Sequence, residues 1–313
     1  MRNGEWLGKD TPPLPITPGV EMVGRIFHFE KDASCASHLS VGDRVISLTR
    51  CGGNSRFISI GSEQLVKISE HVDPAEAACL PEAYLSAFQV LHFGQSAGLR
   101  YRNNALKGKS ILILGTVVTT LGRAIVELAM AAGVAKILAT STPKHFPHLH
   151  SLGIIPVSID PALWHDELNG VVDLVIISNA NEKIVDRHFK VLKYDGHLIV
   201  INQRQGPGLP VMGQKRGLPS LMCKASKSKI SMIDRTHDYS PFRQWEMDQE
   251  RSKKDLSHLV KLLEKREIKP IVFDRIPLGK VAKAQLMVES QRHPSGFLVC
   301  EPWLRNKKRA VML

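Results

Sequence analysis

The sequence predicts an α/β protein built from a doubly wound parallel sheet and a second, β-rich domain. Three observations predict it. From Lys109 onward, short apolar runs alternate with helical stretches, the pattern of a parallel sheet covered on both faces. The first hundred residues instead carry short β-branched or aromatic runs punctuated by Gly and Pro, which suits a small barrel or sandwich. With 43% hydrophobic and 23% charged residues, the composition is that of a globular chain and excludes a disordered or fibrous one.

The elements follow in order. Met22–Phe29, Asp43–Leu48 and Arg56–Ile60 read as strands between turn signals such as PITPG, VGD and CGGN. Asp73 and Pro74 then give an N-cap and first-turn signature, and the apolar positions switch to helical spacing, with Pro81 opening a second helix. KSILILG is a buried strand that stops at Gly115, and LGRAIVELAMAAG is a helix ended by Gly133. AKILATS is the next strand, followed by a short helical or turn segment, PKHFPHLHSLG. IIPVSID, VVDLVIISN and GHLIVINQ are further buried strands, with the helix EKIVDRHFKVLK before the last. SKISMID supplies a candidate sixth strand, and DQERSKKDLSHLVKLLEKREIKP is a charged amphipathic helix stopped before Pro270. The tail, IVFDRIPLG to SGFLVCEPW, returns to strand-like segments that pack back onto the N-terminal domain.

The 313 residues leave room for two domains, and the formal charge of +12 raises nucleic acid, a membrane surface or an anionic ligand as partners. No apolar run approaches the ~18–20 residues of a membrane helix, and MRNGEWLGKD has no apolar core of a signal peptide. Nucleic acid is disfavoured too, because no helix-turn-helix, zinc finger or aromatic-rich RNA-binding signature is present. The basic surplus lies in and after the alternating region, since residues 1–100 carry 9 basic and 11 acidic side chains. Cys35, Cys51, Cys79, Cys223 and Cys300 are scattered without a CxxC pair and read as reduced thiols of a cytoplasmic protein.

A strand that ends at a glycine and runs straight into a helix begins a dinucleotide-binding unit. The helix N-terminus holds the pyrophosphate, and glycine lets the backbone approach it. Here that loop is Gly115, Thr116, Val117, Val118, Thr119, Thr120, Leu121 and Gly122, with glycine only at its ends. An ordinary strand-to-helix turn is the competing reading. After the second strand, an NAD site places an acid for the ribose 2′-hydroxyl. This chain has Thr140, Ser141, Thr142, Pro143 and Lys144 there, without an acid. Hydroxyls with a lysine suit a 2′-phosphate, hence NADP(H), although a solvated Lys144 is the plainer reading.

Taken together, the landmarks resemble the medium-chain dehydrogenase/reductase superfamily, in its zinc-independent quinone oxidoreductase and enoyl reductase-like branch. LPITPGVEMVGRI, VGDRV, LPEAYLSAFQVL, VDLVIISNA, DGHLIVINQ, IKPIVFDRIPLGKVAKAQ and HPSGFLV occur in family order. The resemblance implies a GroES-like substrate domain at 1–98, a Rossmann-type NAD(P)-binding domain at 99–267 and a return segment at 268–313. It also implies that the GroES-like domain is N-terminally incomplete.

Residue roles follow by position. Gly115 to Gly122 would form the pyrophosphate loop, and Thr140, Ser141 and Lys144 would meet the adenosine ribose phosphate. Ser178, Asn179 and Ala180 would line the dinucleotide's path, Asn202 and Gln203 would lie near the nicotinamide, and Ser86 stands where the family often has a cofactor-adjacent Thr. No metal is expected: Val20 replaces the histidine that precedes the glutamate in the zinc-bearing branch, and His145, His148 and His150 read as solvated or phosphate-facing. Tyr84 reads as a helix-packing residue rather than a proton donor. The implied activity is hydride transfer from NADPH to a quinone or α,β-unsaturated carbonyl, in a chain that dimerises through sheet edges. Three departures stand out: the late start, β-branched residues in the loop, and Phe297 in place of a lysine. They motivate an alternative, an impaired relative acting as a nucleotide-binding or partner-binding scaffold.

Overall fold

The computed structural model describes residues 15–29, 38–49, 51–93, 100–102, 104–115, 117–178, 182–202, 229–234, 245, 248–290 and 296–304. In chain order the elements are β1 (Glu21–Arg25), β2 (Arg44–Leu48), β3 (Val66–Lys67), α1 (Pro74–Ala77), a π-helical turn (Leu80–Tyr84) and α2 (Leu85–Leu91). Then come β4 (Ser110–Leu114), α3 (Thr120–Ala131), β5 (Lys136–Ser141), α4 (Phe146–Ser151), β6 (Ile155–Ser158), β7 (Val172–Ser178) and α5 (Glu182–Phe189). β8 (Leu192–Asn202), β9 (Lys229–Asp234), α6 (Gln249–Glu264), β10 (Val272–Pro277), α7 (Val281–Glu289) and β11 (Phe297–Glu301) complete the order. The chain forms two compact units, residues 1–86 with 244–313, and residues 87–243.

In the first unit, β1, β2 and β3 form an antiparallel sheet in that order, with Val23 opposite Ile46. The expected strand Met22–Phe29 stops at Arg25, because β2 gives way to a turn in which Gly42 adopts φ +92° and its N–H bonds the Ile26 carbonyl at 2.8 Å. The expected strand Arg56–Ile60 is not one. Ser55 Oγ lies 2.6 and 2.8 Å from the carbonyls of Gly52 and Phe57, so this segment closes on itself instead of joining a ladder. β10 and β11 pair in parallel, and the Arg275 guanidinium joins Asp73 and Glu301, tying the start of α1 to both strands. Between them VAKAQLMVE forms α7, a helix the strand-like reading of the tail missed because its apolar residues form no clean stripe.

The second unit is a six-stranded parallel sheet in the order β6-β5-β4-β7-β8-β9, so SKISMID is the sixth strand. Its centre is apolar on both faces: Ile111, Leu112 and Ile113 of β4 and Val175 and Ile176 of β7 are fully buried. That explains why these strands read as continuous hydrophobic runs rather than alternations. α3 buries Leu121, Ala124, Ile125, Leu128 and Ala129, a helical stripe, and ends before Gly133 at φ +75°. At the opposite edge from the strand ends, Asp173 of β7 fastens three strands. It accepts the Ser110 N–H at 2.8 Å, the Ser110 hydroxyl at 2.9 Å and the Lys193 ammonium at 2.8 Å. Burial pushes its carboxyl up, but these donors outweigh that and hold it below the usual range.

Candidate functional site

The parallel sheet reverses its order at β4, with β5 and β6 on one side and β7 to β9 on the other. In such sheets the ligand crevice opens beyond the carboxyl ends of the strands at that reversal. Gly115, the first residue past β4, has φ +87°, a conformation costly to a residue with a Cβ. A Cβ placed there would meet Ser178 at 3.9 Å, so backbone conformation rather than crowding calls for glycine. The Gly115 N–H donates to Thr140 Oγ1 at 3.3 Å, which links the ends of β4 and β5.

Two buried hydroxyls near this edge have no hydrogen-bond partner: Ser178 Oγ at the end of β7 and Thr142 Oγ1 just past β5. An unsatisfied buried hydroxyl costs about 1–3 kcal/mol, so both are poised for a polar ligand or water. The loop then enters α3, whose first-turn amides and helix dipole favour an anion. It is a restrained entrance: Thr119 caps the helix by accepting the Gly122 N–H at 3.0 Å, and Val117 turns inward and is buried. The residues fit a dinucleotide in their backbone conformation and unpaired hydroxyls, and less well in their glycine content.

Of the expected site residues, Gly115, Thr140 and Ser178 come together. Thr119, Thr120, Leu121 and Gly122 form the capped start of α3, with Leu121 and Gly122 buried. Ser141 is buried at the end of β5, and Lys144 and His145 are exposed on the short turn that follows. Asn202 closes β8 opposite Asp234 of β9. Ser86 is buried in α2. Thr116, Asn179, Ala180 and Gln203 lie outside the described residues, as do Cys35 and Cys223. Tyr84 is buried, with its ring 6.4 Å from that of Phe297. Thr142 was missed as a site residue because nothing local marks which of several hydroxyls ends up unpaired.

The first unit holds a feature the sequence did not announce. Glu21 Oε1 accepts the Glu82 N–H of the π-helical turn at 2.8 Å. Burial first, and then the neighbouring Glu82 carboxylate, push the Glu21 carboxyl up to about 8, against the lowering effect of that N–H. The partners are 61 residues apart, so no local spacing reveals them. Among the described residues, no three His, Cys, Asp or Glu side chains converge as a metal site, and no helix is long and apolar enough to cross a membrane.

Comparison with known proteins bears on both units. Residues 1–86 match the alcohol dehydrogenase GroES-like domain family, and residues 159–295 match a family described as zinc-binding dehydrogenase. The chain is 24% identical over 293 residues to the Rattus norvegicus synaptic vesicle membrane protein VAT-1 homolog, covering 90% of this chain and 68% of that protein. Its fold is similar to that of JamJ enoyl reductase in its apo form, with a TM-score of 0.69, 20% identity and coverage of 91% of this chain and 79% of the other. It is similar also to a mycobacterial protein complexed with NADPH, with a TM-score of 0.68, 19% identity and coverage of 93% and 85%. The GroES-like and dehydrogenase matches follow one another along a chain whose parallel sheet reverses at β4, and the chain belongs to the medium-chain dehydrogenase/reductase superfamily.

Proposed function

We propose that this chain is an NADP(H)-dependent, zinc-independent oxidoreductase acting on a quinone or an α,β-unsaturated carbonyl. The observation that carries the reading is the carboxyl edge of the parallel sheet. There Gly115 stands at φ +87° between Thr140 and Ser178, and a buried Ser178 hydroxyl lacks a partner. An enoyl reductase and an NADPH-bound protein among the structures of similar fold support the same class.

NADPH, when bound, supplies the hydride. The chain's own residues position it: the Gly115 backbone leaves space for the pyrophosphate, the start of α3 presents positive potential, and Ser178 and Thr142 offer hydroxyls. Thr140 and Ser141 end β5 and Lys144 follows it, without an acid, which favours the 2′-phosphate of NADP(H). The test is a thermal shift with NADPH and NADH, followed by NADPH oxidation with quinones and enones. A shift with NADPH and turnover with either acceptor class is the expected result, and no shift at millimolar NADPH sinks the reading.

A second reading has its own observation. Val117 is buried in the loop and Thr119 already occupies the Gly122 amide, so the cradle is tighter than a glycine-rich one. A nucleotide-binding scaffold without turnover would give the thermal shift and no oxidation.

A further inference from the structure

Among the described residues of the first unit, two short sheets turn an unpaired edge toward one groove. In the sheet β1-β2-β3, β1 is an outer strand, and in the pair β10-β11 no third strand lies beyond β11. The groove, of about 1830 Å³, is lined by Glu21 to Arg25 of β1 and by Phe297 to Glu301 of β11, every residue of both strands. A strand that meets a cavity with its face contributes alternate residues, so this unbroken lining is that of two strands meeting it edge-on. Their neighbours agree: β2 contributes only Arg44 and Val45, and β10 contributes none.

The hydrogen bonding fixes which backbone groups reach the groove. The Val20 carbonyl accepts the Thr49 N–H at 2.6 Å and the Ile26 N–H donates to the Asp43 carbonyl at 3.0 Å, so the even-numbered residues of β1 bond β2. Val23 and Arg25 therefore turn their N–H and C=O groups to the other side. The Phe297 N–H donates to the Ile271 carbonyl at 2.8 Å, which gives the odd-numbered residues of β11 to β10 and turns Leu298 and Cys300 outward. Gly53 closes one end of the β1 edge: its N–H bonds the Gly19 carbonyl at 2.9 Å, and a Cβ on it would collide with the Glu21 carbonyl. Unpaired edge groups of this kind are a template for another strand. Ordinary edges are blunted by proline or lysine, as β6 is by Pro156 at the edge of the other sheet, and neither β1 nor β11 carries either residue.

We propose that this groove is a strand-acceptor site, in which an extended peptide segment of a partner protein lies between β1 and β11 and hydrogen-bonds both edges. Its size favours a peptide, since small-molecule pockets span roughly 300–1,000 Å³. The lining charges have both signs and are largely met within the unit, Arg25 and Arg44 by Glu70 and Glu301 by Arg275. Charge therefore selects neither an acidic nor a basic guest, and the partner segment is an uncharged one, held by backbone bonds with apolar side chains in contact. Among the lining residues Phe27, Phe57 and Trp303 meet edge to face, with ring centroids 6.0 and 5.7 Å apart, and stay exposed. They offer an apolar surface to alternate side chains of that segment. The proposal is independent of the nucleotide reading, which concerns the other unit.

The test is fluorescence polarisation with the full chain and a labelled, end-blocked hexapeptide, Thr-Val-Thr-Tyr-Thr-Val. Two further versions carry N-methyl groups on the first, third and fifth or on the second, fourth and sixth residues, which removes the donors to one edge at a time and keeps every side chain. The unmodified peptide is expected to bind, and each methylated form to bind at least about 10-fold more weakly, the worth of two or more neutral hydrogen bonds. Val23→Pro removes a groove-facing N–H that β2 does not use, so it should fold and lose about 3–10-fold in peptide affinity. No binding at millimolar peptide, equal binding of either methylated form, or a folded Val23→Pro chain that binds as the parent does overturns the proposal. So does a peptide that binds only by dissociating a dimer of this chain in analytical ultracentrifugation, which would give the groove to a second copy. If Val23→Pro fails to fold, the methylated peptides on the parent chain decide.

Discussion

The Thr119 hydroxyl accepts the Gly122 N–H at 3.0 Å, so α3, the helix that begins beyond β4, is capped by its own loop. Such a cap contributes about 0.5–2 kcal/mol. Thr119→Ala is therefore expected to lower the unfolding free energy by about 1 kcal/mol in urea titration. It also frees an amide that an anion can use, so NADPH affinity should stay level or rise despite the lower stability. A loss of affinity parallel to the loss of stability would mean that the cap and the cofactor do not compete.

Gly115 tests the backbone side of the same crevice. At φ +87° a side chain costs roughly 1–2 kcal/mol, although the space beside Ser178 would admit a methyl. Gly115→Ala should fold with a reduced melting temperature and, under the proposed function, bind NADPH at least about 10-fold more weakly, since the strained loop would shift against the pyrophosphate. Unchanged NADPH affinity would place the nucleotide elsewhere.

Lys144 would separate NADPH from NADH under the proposed function. It is exposed on the turn after β5, where the chain has hydroxyls and no acid. A hydrogen bond to a charged group is worth about 1.5–3 kcal/mol. Lys144→Ala should weaken NADPH by about 10-fold and leave NADH unchanged, measured by fluorescence titration of both. An equal effect on the two removes Lys144 from the phosphate site.

Much of this was legible from the sequence, for identifiable reasons. β4 and β7 are buried on both faces, so their continuous apolar runs announce themselves, and Gly115 and Gly133 bracket α3 with the conformations that only glycine adopts freely. What stayed hidden depends on partners far away in the chain. Phe57 looks like a strand residue, yet Ser55 folds its backbone away from any ladder. Glu21 sits in a motif, but its carboxyl is raised by burial first and then by Glu82 in another element. Thr142 is one hydroxyl in a polar string, and only packing shows that its oxygen is buried without a partner.

Asp173 predicts where the second unit is most easily broken. It accepts two hydrogen bonds from Ser110 and one from Lys193. Asp173→Ala leaves the part-buried Ser110 N–H without an acceptor and should cost about 1–3 kcal/mol, with Asp173→Asn in between. Because its carboxyl titrates below the usual range, the stability it adds is present above the unfolded value of about 3.8 and is lost as pH falls through the lower folded value. The difference between parent and Asp173→Asn in urea should therefore shrink below pH 4.

Glu21 behaves with the opposite sign. Its folded value of about 8 lies above the ordinary 4.5, so the folded state holds the proton more tightly than the unfolded chain. The favourable contribution is complete below pH 4.5 and is lost as pH rises to about 8, where the carboxyl ionises beside Glu82. The effect is on the order of 1–3 kcal/mol. Glu21→Gln cannot ionise. It should match the parent near pH 4.5 and become progressively more stable relative to it up to pH 8 to 9, followed as denaturation midpoints across that range. Asp73, Glu70 and Asp173, all held below their ordinary values, contribute equally to both proteins and cancel in the difference. A gap between the two proteins that stays flat from pH 5 to 9 would show that Glu21 is ionised throughout.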